Sequence, residues 1–243
     1  MPEDHFGEDV AAGYDLDLSM SHPDVVDPVV DFLAELAGDG AALELGIGTG
    51  RIALPLSQRG VRVVGIDLSA AMVERLRAKP GADGIDVTMG DFATTRLGGM
   101  FRVVFLVYNG ISNLTTQDEQ VACFCNAAAH LEPGGCFVIE VMVPPLQRLP
   151  PGETVRAFNV SPVHLGIDEI DVVTQQAVSH HYWVAHGAPN VWSVPWRYVW
   201  PSELDLMARV AGMTLRERWG GWRREPFTAG CPSHISVWEK PGP

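Results

Sequence analysis

Lysine is nearly missing from this chain of 243 residues: Lys79 and Lys240 are the only two. We read that as genome composition, not function. Positive charge is itself scarce. Lys and Arg number 17 against 30 Asp and Glu, a formal net charge of −13, and the pI is about 4.9. Such a surface repels phosphate backbones, which argues against general nucleic-acid binding in the absence of a local basic patch. The densest basic spot, Arg223-Arg224, is too small to be one. Cysteine is sparse as well. Cys123, Cys125, Cys136 and Cys231 show no metal-ligand spacing and read as reduced, buried thiols. Cys123 and Cys125 stand two apart on a predicted helix, so they point different ways. Long hydrophobic runs are missing: none approaches a membrane span. The acidic start, MPEDHFGEDV, is not a signal peptide. Repeats and low-complexity tracts are missing too. The expectation is a cytoplasmic protein with neither nucleic-acid nor membrane partners, large enough for one α/β domain with an insertion.

What is present is a strand–helix rhythm. A helix is expected from Asp27 as N-cap and Pro28 at the first helical position, through Val29, Phe32, Leu33 and Leu36, to Gly38. Strand 41–45, helix 51–60, strand 61–67, a helix over 69–79 capped by Ser69, and strands 85–91 and 101–109 follow. Thr116 and Glu119 form a capping box opening a helix to about Leu131. EPGG at 132–135 reads as a turn, and the continuous apolar run 136–143 as a central parallel strand. Alternation of this kind makes a doubly wound, mostly parallel sheet with helices on both faces. Over 144–200 the rhythm changes to short Val-, Tyr- and Trp-rich runs between turns, which reads as an antiparallel β insertion. It resumes with Ser202 as the expected N-cap of a helix whose Leu204, Met207, Ala208 and Ala211 share a face. Two final strands close the chain.

The stretch Leu43-Glu44-Leu45-Gly46-Ile47-Gly48-Thr49-Gly50-Arg51 follows the first strand. Glycines in a βα turn permit a tight bend and close approach of a ligand. A dinucleotide fingerprint would need a third glycine at position 51, which is Arg, and no Gly-Lys-Ser/Thr follows for a P-loop. The pattern acid-x-Gly-x-Gly-x-Gly resembles motif I of the class I S-adenosylmethionine-dependent methyltransferases. Its companions stand in order: Asp67, 19 residues after Gly48; Gly90-Asp91-Phe92 after the third strand; and LEPGG before FVIE. The resemblance implies a seven-stranded Rossmann-like methyltransferase fold with the β insertion after strand five. It implies S-adenosyl-L-methionine as cofactor and S-adenosyl-L-homocysteine as product. It further implies cofactor contacts from Glu44, Gly46, Gly48, Gly50, Arg51, Asp67, Leu68, Met72, Asp91, Phe92 and Tyr108. Asp67 would hold the ribose hydroxyls and Asp91 the adenine amine. Bland alternatives stand beside these roles: Met72 as plain core, Asp91 as a turn acid, Arg51 as a surface ion pair.

Strand four ends Tyr108-Asn109-Gly110-Ile111, without the Asp/Asn-Pro-Pro-aromatic stretch of the DNA amine methyltransferases. The chain looks more like amino-sugar N-methyltransferases and relatives of glycine N-methyltransferase, which also carry an N-terminal Tyr-Asp, here Tyr14-Asp15. Residues 1–26 are then expected as a lid segment, 41–143 as the cofactor-binding core, 144–200 as the acceptor side, and 201–243 as a C-terminal helix and strand pair. Methyl transfer from a sulfonium is an in-line displacement that relies on alignment. A base assists if the acceptor must lose a proton. Tyr14, His164, His180 and His181 are the candidates, and no metal cluster is visible. His180 and His181 are adjacent on a predicted strand, so at most one faces the site. Trp183, Trp192, Trp196, Tyr198 and Trp200 either line an acceptor pocket or form the insertion's own core. The expected activity is methyl transfer to an O or N atom of a small molecule. The rivals are a protein or RNA methyltransferase and a cofactor-binding protein without transfer. Oligomeric state stays open, a homodimer being one option.

Overall fold

The computed structural model describes residues 6–8, 11, 14, 20–185 and 188–242. Asp15 and most of the expected lid segment lie outside the described residues. Along the chain run α1 (Pro23–Ala37), β1 (Ala42–Leu45), α2 (Ala53–Gln58), β2 (Val63–Asp67), α3 (Ala70–Arg77), β3 (Asp86–Met89), β4 (Phe101–Leu106), α4 (Gln117–His130) and β5 (Leu131–Met142). Then come β6 (Val155–Val160), β7 (His164–Ile170), β8 (Gln176–Ala185), β9 (Ala188–Arg197), α5 (Pro201–Val210), β10 (Thr214–Trp219) and β11 (Ser233–Glu239). One sheet has the order β10-β11-β5-β4-β1-β2-β3; the other has the order β6-β7-β8-β9. Strands β1 to β5 pair in parallel, and β11 runs antiparallel to both β5 and β10.

Strands β1, β2, β4 and β5 are buried on both faces, which is why they read as apolar runs, whereas β3 at the sheet edge is largely exposed. Leu43, Leu45, Val104, Leu106, Phe137 and Ile139 face α4 and α5. Ala42, Val103, Phe105 and Val138 face α1 and α2. Glu44 interrupts β1 with a carboxylate at a position buried like its neighbours.

Three local expectations are corrected. Helix α1 begins a turn before Asp27, with Pro23 in its first turn and His22 Nδ1 accepting from Asp24 N at 3.3 Å. Val26, Val29, Val30 and Leu33 are all buried, so the apolar stripe reaches back past Val29. Pro28, inside the helix, forgoes only the bond to the carbonyl one turn earlier. Helix α5 takes Trp200 as its N-cap, because Pro201 supplies the preset φ of a first helical residue. EPGG is not a free turn. Leu131 pairs with Phe101 and Cys136 with Val103, so 132–135 is an irregularity within β5. Gly134 N donates to Lys240 O, and Lys240 N to Gly135 O, which keeps the stretch in the ladder.

The antiparallel sheet is fastened to the core at one end. Arg197, at the end of β9, is buried and donates to Gln120 Oε1 of α4, Gln175 Oε1 and Glu203 Oε1 of α5, the last at 2.8 Å. Gln120 Nε2 donates onward to Ile111 O and Leu114 O. Glu203 also accepts from Gln117 and Gln175. Burial raises the Glu203 pKa, but hydrogen bonds from Gln175, Arg197 and Gln117 outweigh it and hold the carboxyl below its ordinary range.

Removing one partner of a buried, hydrogen-bonded pair strands the other. Glu203→Ala should therefore cost about 3 kcal/mol of stability. A folded-state pKa below the unfolded one gives stability that is present above the unfolded value and is lost as pH falls through the folded value. In urea titrations, the gap between wild type and Glu203→Ala should be full near neutrality and should close in acid below the carboxylate range. An unchanged gap would show that the carboxylate's charge is irrelevant.

Candidate functional site

At the carboxyl edge of the parallel sheet, β1 lies between β4 and β2, where the strand order reverses. Crevices at such points are where open α/β sheets hold ligands. The turn after β1 starts with Gly46 N and Ile47 N, both donating to Ile66 O of β2. Gly48 has φ +54 and donates its N–H to Asp67 Oδ2 at 2.6 Å. The other carboxylate oxygen of Asp67 accepts from Ser69 N at 2.8 Å. Two backbone amides thus fix the plane of this carboxylate at the mouth of β2. Gly50 serves otherwise. A Cβ there would collide with Leu76 of α3, and the residue does not line the cleft, so its place is in packing behind the turn.

The cleft has a volume of about 150 Å³. Glu44, Gly46, Gly48, Arg51, Asp67, Leu68, Met72, Asp91, Phe92 and Tyr108 all line it, with Tyr14 and Phe6. Glu44 is 4% exposed, and its Oε2 has no hydrogen-bond partner among the described residues. Burial pushes its pKa well up and Asp67 adds to the rise, while Arg51 opposes it. A buried carboxylate with an unpaired oxygen suits a cationic ligand group. Arg51 donates to Met20 O at 3.2 Å, and its guanidinium lies 4.8 Å from the centre of the Tyr108 ring. Asp91 closes its own turn, accepting from Ala93 N and Thr94 Oγ1, yet still lines the cleft. Met72 is both buried core and lining, its Cε against Gly48. The Phe6 carbonyl accepts from Ser69 Oγ at 2.8 Å, and the Phe6 and Tyr14 rings meet edge to face. Burial pushes the Tyr14 phenol up to about 12; Arg51 opposes this, and Tyr108, Asp67 and Glu44 add to it. Tyr14 is therefore a hydrogen-bond donor at neutral pH, not a phenolate.

A second, larger space of about 1300 Å³ adjoins the cleft, with Phe6, Tyr14, Arg51, Tyr108 and Asn113 lining both. Its far wall is the inner face of the antiparallel sheet. His164, His181, Trp183, Trp192 and Trp196 line it. His164 Nε2 and His181 Nδ1 share a hydrogen bond of 3.0 Å, and His164 stacks on Trp183 at 3.9 Å. Burial lowers the His181 pKa, and His164 and His180 add to the fall. His180 points to the opposite face, where its Nδ1 meets Ser193 Oγ at 2.8 Å, because alternate strand residues face opposite sides. Tyr198 packs in a small core with Ile170 and Ala177, and Trp200 caps α5. The aromatic set is thus divided between lining and support.

The residues joining the two spaces rest on one that sequence reasoning missed. Tyr108 and Asn109 have φ +54 and +60, a conformation costing about 1–3 kcal/mol each for residues with side chains. Glu140 of β5 holds them there. Its Oε2 accepts from Tyr108 N at 3.0 Å, its carbonyl from Asn109 N at 3.1 Å, and its Oε1 from Trp222 Nε1 at 3.0 Å. Asn109 Oδ1 accepts from Met142 N at 2.7 Å. The available signals were an Asn-Gly pair after a strand and a lone acid inside an apolar run. Among the described residues, no group of three or more His, Cys, Asp or Glu is placed to hold a metal ion.

A family model described as a methyltransferase domain matches residues 42–135. The solved structure of the CcbJ methyltransferase from Streptomyces caelestis is 34% identical, with 98% of each chain covered and a TM-score of 0.87. The cypemycin N-terminal methyltransferase of a Streptomyces species is 29% identical over 206 residues, 82% of each chain. CalS10 from Micromonospora echinaspora, an amino pentose methyltransferase solved with S-adenosylmethionine bound, covers 98% of this chain and 99% of its own. Its TM-score is 0.72 at 23% identity, a likeness of fold.

The Glu140 contacts make a prediction. Glu140→Gln leaves one acceptor oxygen for two N–H donors, one exposed and one part-buried, and should cost about 0.5–1.5 kcal/mol, the net worth of one hydrogen bond. Adding Trp222→Phe removes one donor, so the double mutant should recover part of that loss in urea denaturation. Strictly additive losses would exclude Glu140 as the shared anchor.

Proposed function

The chain belongs to the class I S-adenosylmethionine-dependent methyltransferases, and from that premise we propose that it methylates an amine nitrogen of a small natural-product acceptor held in the larger chamber. The observation that carries the reading is the chamber of about 1300 Å³ opening onto the cleft across Tyr14, Arg51, Tyr108 and Asn113. A concave, aromatic-walled space that joins the cleft suits a small molecule better than a protein segment or RNA. Among the relatives, the cypemycin enzyme is named an N-terminal methyltransferase and CalS10 an amino pentose methyltransferase, which favours nitrogen over oxygen.

The cleft residues fit the cofactor. The unpaired, buried Glu44 oxygen faces its ammonium, Asp67 its ribose hydroxyls, and Asp91 its adenine amine, with Leu68, Met72 and Phe92 around the base. Gly46 and Gly48 give close backbone approach, and Arg51 takes the carboxylate. When bound there, S-adenosylmethionine supplies an electrophilic methyl group on a sulfonium. The protein's task is then alignment and exclusion of water. Phe6 and Tyr14 cover the cleft from the N-terminal side, and 144–200 serves as the acceptor side. Tyr14, protonated at working pH, donates a hydrogen bond that orients the acceptor. An acceptor amine must shed a proton, and His181, kept neutral by burial and hydrogen-bonded to His164, receives it. His180 is left out of this role because it faces away. The four free thiols fit a cytoplasmic location.

Incubation with S-adenosylmethionine and a panel of primary and secondary amines, matched to their alcohols, should release S-adenosylhomocysteine with the amines alone. Asp67→Ala should weaken cofactor binding by about 1.5–3 kcal/mol, the loss of a charged hydrogen-bond partner. Turnover of the alcohols only would refute the nitrogen assignment; wild-type cofactor affinity in a folded Asp67→Ala would refute the ribose assignment.

The histidine assignment is tested by pH. A base with a lowered pKa is active when deprotonated, so the rate should fall on the acid side of the profile. His181→Ala should abolish that limb and His180→Ala should keep it. The reverse pattern would reassign the base.

A further inference from the structure

The inner face of the antiparallel sheet carries a polar row within its aromatic wall. Arg156 of β6 pairs with Asp168 of β7, Asp168 with Ser179 of β8, and Ser179 with Val194 of β9. All four line the chamber. Ser179 Oγ donates to Asp168 Oδ1 at 2.7 Å. Arg156 Nη2 stands 3.8 Å from Asp168 Oδ2, beyond hydrogen-bond reach. Arg156 Nη1 is buried with no hydrogen-bond partner among the described residues. The Asp168 side chain is 8% exposed and that of Arg156 20%, so neither charge is well solvated. Opposite charges this deep are costly unless their hydrogen bonds are completed. Nothing in methyl transfer uses them.

We propose that Arg156 and Asp168 bind a neutral group of the methyl acceptor that both donates and accepts hydrogen bonds, a hydroxyl or a primary carboxamide. The proposal rests on the reading of the chamber as the acceptor site. Arginine only donates and a carboxylate only accepts. An anionic group would meet Asp168, and an ammonium would meet Arg156. A neutral group with one donor and one acceptor completes both partners at once. The register also says what flanks it. Two residues along β9 to either side stand Trp196 and Trp192, about 7 Å of strand rise each way. The polar group is therefore carried on an apolar scaffold that lies against ring faces.

Three probes share an aromatic ring and an amine: phenylalaninamide, phenylalaninol and phenethylamine. Their binding is measured by calorimetry on protein saturated with S-adenosylhomocysteine. Wild type should bind the amide or the alcohol at least about tenfold more tightly than phenethylamine, the scale of one net hydrogen bond. The tighter of the two identifies the group as carboxamide or hydroxyl. Arg156→Met and Asp168→Asn should erase the preference while phenethylamine affinity stays within about twofold. Ser179→Ala, which keeps both charges, should reduce it in part and serves if either charge variant fails to fold. Equal binding of all three by wild type, or no binding of the amide and the alcohol, overturns the proposal. So does a preference that survives the substitutions. Val194→Trp, which fills the chamber beside the row, should abolish phenethylamine binding. If phenethylamine binds wild type and Val194→Trp alike, the chamber reading itself falls.

Discussion

The bond from Gly48 N to Asp67 Oδ2 fixes the geometry on which the rest of the site depends. It ties the turn after β1 to the end of β2, across the two parallel strands that frame the crevice. The turn can make it because glycine accepts a positive φ at 46 and 48 without a side chain in the way. Once the turn is pinned, Glu44 is left buried beneath it and Arg51 stands beyond it, so acid and base reach the cleft from one short segment. Asp67 is held by the same bond and by Ser69 N. Its carboxylate is oriented in advance, and binding does not have to supply the ordering.

The antiparallel sheet depends on a different constraint. It is anchored chiefly at one end, through Arg197, Gln120, Gln175 and Glu203, and by the small core of Ile170, Ala177, Trp196 and Tyr198. Buried ion pairs contribute little net stability, but losing one partner is costly. Such a network specifies where the end of β9 meets α4 and α5. Beyond that end, the period of two puts one set of side chains toward the chamber and the other toward solvent. Leu165 and Tyr182 form an exposed pair on the outer face, while His181 and Trp192 face inward at the next level. Gly166 has a packing reason to be glycine, since a Cβ there would strike the Phe158 ring.

Much of this was legible in the sequence where one local rule decides. The capping box at Thr116 and Glu119, the Ser69 cap and the apolar runs of β1, β2, β4 and β5 each follow from spacing alone. The opposed faces of His180 and His181 follow from strand period, although which one turns inward depends on the pairing of β7 with β8. Boundaries failed where proline allowed two readings, as at Pro23 and Pro28. EPGG failed because Lys240, more than a hundred residues away, completes its backbone bonds. Glu140 and Arg156 were missed for the same reason. Their roles come from partners on other strands, and no window of sequence holds both halves of such a contact.

The two spaces differ in how much they can vary. Several residues of the cleft sit at a strand end or in the glycine turn, where backbone bonds would change with them, as Gly48, Asp67 and Ser69 show. The chamber wall is made of side chains in mid-strand, whose backbone ladder is indifferent to what they carry. Arg156, Asp168 and Ser179 could be exchanged for other residues without moving β6, β7 or β8. A fold built this way keeps one cofactor geometry and lets the acceptor change. The match to a methyltransferase model over 42–135 falls on the cleft's strands and ends before the chamber's sheet begins at Val155. On the proposed reading of the chamber, the acceptor's character is written in this wall, where the buried Asp168 and the half-buried Arg156 with its unpartnered Nη1 are the most specific mark.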